Sequence, residues 1–418
     1  MTERLLQFIW QFQHFNTANL ETSGGETILI ITPGQFNTNQ GPDFLNAKIR
    51  IGTTTWAGNI ELHLKTSDWE RHHHQHDRNY ANVILHVVWE NDREEGELPL
   101  LELQTHVSNM LLHRYADLMN SSAFIPCENS INSLSGIAWE GWKDRLMAER
   151  LLRKTAAVEE CLRQSNFHWE EVTWWLLARN FGTKVNADAF EALARSIPPL
   201  ILGRHRHRFQ QLEALLFGQA GFLENEFTDD YPSLLKKEYR FLCNKYGLHP
   251  IKLPMHFLRM RPGNFPTIRL AQLAMLLHPS DHLFSVIRNI VTIGDIRNWL
   301  NVTANDYWHY HYRFDEPSAY REKRLGTTMT DNIIINTIAP LLFAYGHHYT
   351  EIKFKERALD WLEQAAAEHN RITAGFETLA IANKTARDSQ ALLELKNEYC
   401  NQRRCLDCVV GNKLLKRE

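Results

Sequence analysis

The sequence lacks an excess of either charge, a long apolar run and a dense set of cysteines. Its 46 Lys and Arg residues nearly balance 49 Asp and Glu residues, giving a formal net charge of −3, so any contact with nucleic acid must use a local basic patch. Its apolar stretches are interrupted by polar residues or proline and fall short of the ~18 residues of a membrane span. Six cysteines in 418 residues indicate reduced thiols or metal ligands rather than a disulfide scaffold.

Several common catalytic motifs are also missing. The sequence contains no GxxxxGK[ST], no GxGxxG after a strand, no GxSxG and no HExxH, which gives no support to a P-loop, dinucleotide-binding, serine-hydrolase or zincin assignment. The N-terminal segment MTERLLQFIWQFQHFN carries charges and glutamines and lacks the apolar core of a signal peptide. We therefore expect a cytoplasmic protein with no membrane partner.

The period of the hydrophobic pattern changes along the chain. Residues 1–16 show one apolar stripe, as in an amphipathic helix, and short β-rich runs separated by Gly, Asn and Pro follow. From about Ile137 the apolar residues recur at spacings of three and four, which indicates helices. We predict an α+β fold, with an N-terminal mixed sheet and flanking helix over residues 1–119, a linker at 120–136 and a large all-helical domain over 137–418.

Acidic and basic side chains recur on one predicted strand. Alternation along the strand would place Glu61, His63 and Lys65 on one face. Asp43 opens the preceding strand, and a hairpin would bring it beside Glu61. Two such carboxylates could hold Mg²⁺ or Mn²⁺ with open water positions. The alternative is an edge hairpin whose outer face is polar and solvated.

This arrangement resembles the PD-(D/E)xK nuclease superfamily. The resemblance implies a restriction-endonuclease-like N-terminal domain in which Asp43 and Glu61 hold the metal ion. His63 occupies the position of the superfamily's lysine, so His63 or Lys65 would assist the attacking water. An early helix of the superfamily often supplies another acid, and Glu3 fits that place.

A histidine-rich segment, SDWERHHHQHD, follows this strand directly. His72 and His74 are the predicted ligands, either of zinc or of a metal held by the neighbouring strand. The alternative is a solvated polar loop that is rich in histidine. His86 interrupts an apolar strand, and we expect it to be a hydrogen-bonded core histidine.

Three cysteines lie close together near the C-terminus, at Cys400, Cys405 and Cys408. The x4 and x2 spacing between them lets their thiolates reach a common centre. Cys127, near the predicted linker, is the leading candidate for a fourth ligand. We predict a zinc or iron–sulfur centre here, with ordinary reduced thiols as the alternative.

Basic residues cluster in two stretches of the predicted helical domain. Arg204 and Arg206 lie in one stretch, and Arg259, Arg261 and Arg269 lie in the other. Arginine binds phosphate in bidentate fashion, and the interleaved phenylalanines could stack on bases. These arginines are predicted to contact nucleic acid, and the alternative is a solvated face or ion pairing with nearby acids.

Over nearly its full length the chain resembles a bacterial family called domain of unknown function 2851. The matching stretches include GPDFLNAKI, GNIELHLKTSDWERHHH, RPGNFPTIRLAQLA and YCNQRRCLDCVVG. The nuclease-like strand pattern leads us to hypothesise that the protein is a hydrolase. It would be a metal-dependent nuclease that cleaves phosphodiester bonds of DNA or RNA. The rival hypothesis is a non-catalytic nucleic-acid-binding or scaffold protein that keeps the nuclease-like sheet. The sequence leaves the oligomeric state open.

Overall fold

The structure is a computed structural model that describes residues 1–418 except 94–97, 259, 279, 281 and 417–418. Arg259, one of the predicted nucleic-acid contacts, therefore lies outside the described residues. The chain divides into two compact units, one formed by Met1–Trp139 with Leu395–Glu418 and the other by Glu140–Glu394. The predicted α+β class is confirmed, with a mixed sheet and flanking helix followed by a large helical region.

A mixed sheet forms the centre of the first unit. Its strands are β1 (Ile28–Thr32), β2 (Gln35–Phe36), β3 (Phe44–Ile51), β4 (Thr54–Lys65), β5 (Val83–Glu90) and β6 (Leu100–Glu102). They pair in the order β1-β3-β4-β5-β6, and β2 also pairs with β3. The pairs from β1 to β4 are antiparallel, whereas β4 with β5 and β5 with β6 are parallel. Parallel neighbours need a crossover, so the chain must leave the sheet between β4 and β5.

Three helices of this unit are α1 (Glu3–Gln11), α2 (Asp68–Arg71) and α3 (Asn109–Asn120). The side chain of Thr2 accepts a hydrogen bond from the backbone N–H of Leu5 and so caps α1. Leu6 and Ile9 on this helix are fully buried and join a core with Phe44, Leu62 and other strand residues. The apolar stripe of α1 thereby covers one face of the sheet.

The second unit is almost entirely helical. Its core is a single large cluster of apolar side chains, and the short pair β7 (His311–Arg313) and β8 (Glu316–Pro317) adds a small ribbon. Among the described residues we find no helix with the length and apolar character that crossing a membrane requires. Its helices are α4 (Gly136–Gln164), α5 (Trp169–Phe181), α6 (Thr183–Ser196), α7 (Pro199–His205), α8 (Phe209–Gln219), α9 (Asp230–Tyr246), α10 (Pro266–Leu277), α11 (Leu283–Asn289), α12 (Ile293–Trp299), α13 (Asp306–His309), α14 (Thr327–Ile333), α15 (Ala339–His348), α16 (Ile352–Gln364), α17 (Arg371–Thr378) and α18 (Ala386–Glu394).

The C-terminal segment belongs to the first unit, whereas the sequence pattern grouped it with the helical domain. It starts with a π-helical turn at Leu395–Cys400 and ends in α19 (Val409–Lys416). Leu406 and Leu415 are buried in the same core as the sheet. A local helical period cannot reveal which distant core a helix joins, and this is why the pattern missed the return of the chain.

Helices α8 and α9 approach each other closely at Gly218. A Cβ atom on Gly218 would lie 2.1 Å from the ring of Tyr239, and the Tyr239 hydroxyl donates a hydrogen bond to Gln219 that helps to fix the ring. We expect Gly218→Ala to lower the free energy of unfolding by roughly 1–3 kcal/mol through overpacking. Chemical denaturation would measure this change.

Gly203 in α7 is the matched control, because a Cβ atom there would meet nothing within 4 Å. Gly203→Ala should raise stability by about 0.5–1 kcal/mol through its helix propensity. Equal effects of the two substitutions would contradict the close approach of α8 to α9.

Candidate metal centre

The hairpin of β3 and β4 brings Asp43 and Glu61 together. Phe44 pairs with Ile60 across the two strands, so the residues beside that pair are neighbours. The Asp43 backbone N–H donates to Glu61 Oε2 over 3.0 Å, and the Leu62 backbone N–H donates to Asp43 Oδ2 over 3.1 Å. Each acid is thus held by backbone of the other strand.

Three imidazoles adjoin this carboxylate pair. One ligand nitrogen each from His63, His72 and His74 lies within 4.8 Å of the other two, and His63 Nε2 is 3.1 Å from His72 Nδ1. Glu61 Oε1 lies 3.4 Å from His74 Nε2 and 3.6 Å from His63 Nε2. With metal–nitrogen bonds of about 2.1 Å, ligands of one tetrahedral ion lie about 3.4 Å apart. The three imidazoles are therefore close enough together to share a single ion, and Glu61 lies beside two of them.

The crossover between β4 and β5 carries two of these imidazoles. Asp68 accepts a hydrogen bond from the Lys65 backbone N–H where the strand ends. His73 adopts a left-handed conformation with φ of 61°, which turns the chain after α2. His74 then stacks on Tyr80 with ring centroids 3.8 Å apart. Its Nε2 is buried without a hydrogen-bond partner among the described residues, which is uncommon for a buried polar atom.

His86 supports the cluster from the next strand. The parallel register of β4 and β5 sets Glu61 opposite His86, and His86 Nε2 lies 2.9 Å from His63 Nδ1. His86 is 3% exposed, in keeping with a hydrogen-bonded core histidine. A partner on the far ring nitrogen fixes the orientation of a ligating imidazole. Sequence reasoning missed this link because it did not include the pairing of β4 with β5.

Burial controls the protonation of the cluster. It raises the pKa of Glu61 to about 9, and the charge of Asp43 acts in the same direction. Burial also raises the pKa of Asp43 to about 7, with Glu3 adding to the shift. For His63 and His86, burial lowers the pKa to about 2 and about 4. Neutral imidazoles are the form that binds metals, and a cation at this place would favour the ionised carboxylates.

The other predicted members of this site differ in placement. Glu3, in the first turn of α1, is partly buried, and burial raises the pKa of its carboxyl, against the charge of His72. It therefore lies within electrostatic reach of the cluster. Lys65 is exposed, and among the described residues it forms no hydrogen bond or ion pair with Asp43 or Glu61. Strand alternation places Lys65 on the same face as Glu61 and His63. However, those two side chains are buried, whereas Lys65 is the last residue of β4 and is exposed.

The predicted arginines line two cavities of the helical unit. Arg261 and Arg269 line a cavity of about 790 Å³, whereas Arg204 and Arg206 line another of about 440 Å³. Arg269 is 6% exposed, and it donates hydrogen bonds to Asn264 and Gln272. Its side chain is thus part of the cavity wall rather than of an outer surface.

The larger cavity carries six cationic side chains, of which Arg150 and Arg179 pair with acids. Within the part of the chain that is described, four cations of the lining form no ion pair with an acid, and they are Lys154, Lys184, Arg261 and Arg269. Burial lowers the pKa of Lys154 to about 7, and the charge of Arg150 adds to that shift. Positive charges that lack acidic partners favour an anionic ligand.

The cluster should have a distinct effect on stability when no metal is bound. Folded Glu61 keeps its proton up to a pH near 9, whereas an unfolded chain releases it near 4.5. The folded state binds more protons in this window, so stability falls as pH rises through it. His63 and His86 act in the opposite direction, but only below their ordinary pKa of 6.5.

We therefore expect Glu61→Gln, in chelator, to raise the melting temperature by several degrees at about pH 8 and by less at about pH 5, because the amide cannot ionise. Thermal unfolding followed by circular dichroism at both pH values measures this difference. Glu90→Gln, at an exposed position of β5, is the control and should follow the wild type. A Glu61→Gln curve parallel to the wild-type curve would contradict the effect of burial.

Comparison with curated proteins and with solved structures gave no match to this chain. The resemblance to the PD-(D/E)xK superfamily therefore stays a prediction from the sequence. Comparison with protein families gave a match to the family described as "Protein of unknown function (DUF2851)" over residues 3–371. Since the match covers nearly the full chain, this protein belongs to the DUF2851 family.

Proposed function

We propose that this protein is a metal-dependent hydrolase that cleaves phosphodiester bonds of nucleic acid. The observation that carries the proposal is the position of Glu61 Oε1, 3.4 Å from His74 Nε2 and 3.6 Å from His63 Nε2. With His72, these side chains form a mixed oxygen and nitrogen ligand set next to a second acid, Asp43. Such a set suits a hydrolytic metal ion with an open coordination position.

The ligand chemistry favours Mn²⁺ or Zn²⁺ over Mg²⁺. Imidazole suits transition metals, whereas Mg²⁺ prefers a shell of oxygen atoms. Three of the four proposed ligands are imidazoles. In this proposal Zn²⁺ is the first candidate, and Mn²⁺ is the candidate that remains from the predicted Mg²⁺ or Mn²⁺ ion at Asp43 and Glu61.

The chain's own residues would orient substrate and water. A bound divalent ion lowers the pKa of a coordinated water and polarises the phosphate. Asp43 is partly exposed, and its carboxylate is fixed by hydrogen bonds from Gln7 and from the Leu62 backbone. In this proposal Asp43 accepts a proton from the attacking water. His72 is the exposed member of the cluster and marks the side from which a phosphate would enter.

The helical unit supplies a reason to choose a phosphate-rich substrate. Lys184 and Arg261 are exposed cations on the wall of the larger cavity and have no acidic partner in the described structure. When lysine and arginine bind the phosphate backbone, counterions are released from the nucleic acid, and this release contributes much of the affinity. This cavity supports nucleic acid as the substrate class.

A non-catalytic role is the second candidate, and one observation favours it. Glu61 is 4% exposed and His63 is 1% exposed, so the deepest ligands are shielded from a bulky substrate. In that case the ion would stabilise the sheet while the helical unit bound nucleic acid. Metal binding without any cleavage would distinguish this role from that of a hydrolase.

The first test of the proposal is cleavage of labelled single- and double-stranded DNA and RNA with Mn²⁺, Zn²⁺ or Mg²⁺. We expect Asp43→Asn and His74→Ala to lower the cleavage rate by at least about 100-fold, because each removes a group that acts on the reacting water or its metal. His76→Ala is the matched control, since His76 is exposed on the same segment and outside the group of three imidazoles. It should cleave at the wild-type rate.

Isothermal titration with Mn²⁺ and Zn²⁺ accompanies this assay. Wild-type protein that binds either ion but cleaves none of the four substrates would support the non-catalytic role. Wild-type protein that binds neither ion would overturn both candidate roles of the cluster.

A second test concerns the cavity of the helical unit. We expect Arg261→Ala to weaken nucleic-acid binding and to lower the slope of log affinity against log salt by about one. Fluorescence anisotropy over a salt series measures both values. Arg163→Ala is the control, because Arg163 pairs with Glu160 away from the cavity. Affinity unchanged by Arg261→Ala at low salt would remove this cavity from the binding surface.

A further inference from the structure

Four of the six cysteines meet in the first unit, although they come from distant parts of the chain. Cys400, Cys405 and Cys408 are buried, and Cys127 is half-buried. Cys405 lies in the apolar core beside the sheet, and Cys127 packs against that core. The remaining two cysteines, Cys161 and Cys243, belong to the helical unit.

Specific hydrogen bonds dock the C-terminal segment on the chain around Cys127. Lys396 donates to the Phe124 carbonyl over 2.6 Å, and Arg403 donates to the carbonyls of Leu118 and Ser121. Backbone carbonyls near the C-terminal end of α3 thus accept hydrogen bonds from cationic side chains. These side chains belong to the segment that carries the other three cysteines. The convergence is built by polar contacts as well as by apolar packing.

The segment around Cys405 is held tightly. The Cys408 N–H donates to the Cys405 carbonyl over 3.3 Å, and the Asn412 side chain donates to the Leu406 carbonyl over 2.7 Å. A Cβ atom on Gly411 would lie only 2.1 Å from the Cys405 carbonyl oxygen. The start of α19 therefore packs directly on the turn that presents the thiols, and only glycine fits there.

The thiols lie within electrostatic range of one another. Burial raises the pKa of Cys127 to about 12, and charges on Cys408 and Cys405 add to the shift. Burial raises the pKa of Cys400 as well, with Cys408, Cys127 and Cys405 all contributing. Ionisation of one thiol thus opposes ionisation of its neighbours, and a bound cation would offset this effect.

The spacing of the sulfur atoms argues against a single zinc ion. With Zn–S bonds of about 2.3 Å, the sulfurs of a tetrahedral site lie about 3.8 Å apart. Among the described residues, the group of three ligand atoms within 4.8 Å of one another is that of His63, His72 and His74, and no three cysteines form such a group. In an iron–sulfur cluster one iron holds at most two of the thiolates, so no three sulfurs need to lie as close together as they do around one zinc ion. A C-x4-C-x2-C run with a distant fourth cysteine is a known ligand spacing of such clusters.

We propose that Cys127, Cys400, Cys405 and Cys408 ligate one iron–sulfur cluster, which joins the C-terminal segment to residues 118–128 of the same unit. Ligation converts four thiols to thiolates and releases four protons, with no change in the oxidation state of sulfur or iron. Lys396 and Arg403 lie close enough to act on Cys400 and Cys405 and offset part of the negative charge of the site. The cluster is structural in this arrangement, since the cysteines lie in a packed core.

The test uses the full chain purified without oxygen, with iron, zinc and acid-labile sulfide measured per chain. Where occupancy is incomplete, sulfide and a mixture of ferric and ferrous iron are added without oxygen, so that the iron already has the oxidation states found in the assembled cluster. We expect iron and sulfide in equal amounts, a brown colour from sulfide-to-iron charge transfer, and loss of all three in Cys405→Ser. Cys243→Ser is the matched control and should retain them.

Cys127→Ser is a second variant that guards against simple misfolding, because Cys127 is only half-buried. It should keep the far-ultraviolet circular dichroism of the wild type while losing iron and sulfide and several degrees of melting temperature. One zinc per chain without sulfide would overturn the cluster, as would absence of iron after reconstitution. Equal iron in Cys127→Ser and the wild type would overturn the assignment of Cys127.

Discussion

The structure of the first unit depends on burying Glu61 and His63 of the central strand β4 beside Asp43 and the imidazole of His86. Taking charges out of water costs several kcal/mol per ion unless partners compensate for the lost hydration. Here the imidazoles of His63 and His86 stay neutral, and burial favours the protonated form of Glu61. Without a metal ion, the cluster avoids the full cost of burying charges because its carboxyl groups keep their protons. A divalent ion would displace those protons, and the carboxylates would neutralise its charge.

Three different connections deliver the parts of this cluster to β4. The antiparallel hairpin with β3 supplies Asp43, the crossover to β5 supplies His72 and His74, and the parallel partner β5 supplies His86. Helix α1 adds a hydrogen bond from Gln7 to Asp43. A strand with one antiparallel and one parallel neighbour can bring such side chains together. An antiparallel neighbour can be joined by a short hairpin, whereas a parallel neighbour requires a longer crossover.

The sequence is informative where chemistry follows local geometry. Strand alternation and one hairpin suffice to predict that Asp43 and Glu61 are neighbours, and helical spacing suffices to predict the large helical region. Lys65 and His86 show where this reasoning ends. For Lys65, alternation predicts the face of the strand but not how much of that face the crossover covers. For His86, alternation within one strand does not predict that β4 pairs with β5. The position of Arg269 in a charged stretch does not predict that its guanidinium donates hydrogen bonds to residues of the helical unit.

The two candidate metal sites of the first unit couple to folding in different ways. The histidine and carboxylate cluster has one exposed member, His72, and an ion there remains within reach of water and substrate. The cysteines have no exposed member, so a cluster bound there would be closed and its binding energy would contribute to folding. Their ligands also differ in origin, since the three imidazoles lie within residues 63–74 whereas the thiols join chain segments more than 270 positions apart. Linking distant segments restricts the unfolded chain most, so the proposed cluster at the cysteines would act mainly on stability, whereas the proposed ion at the imidazoles would act in the proposed hydrolysis.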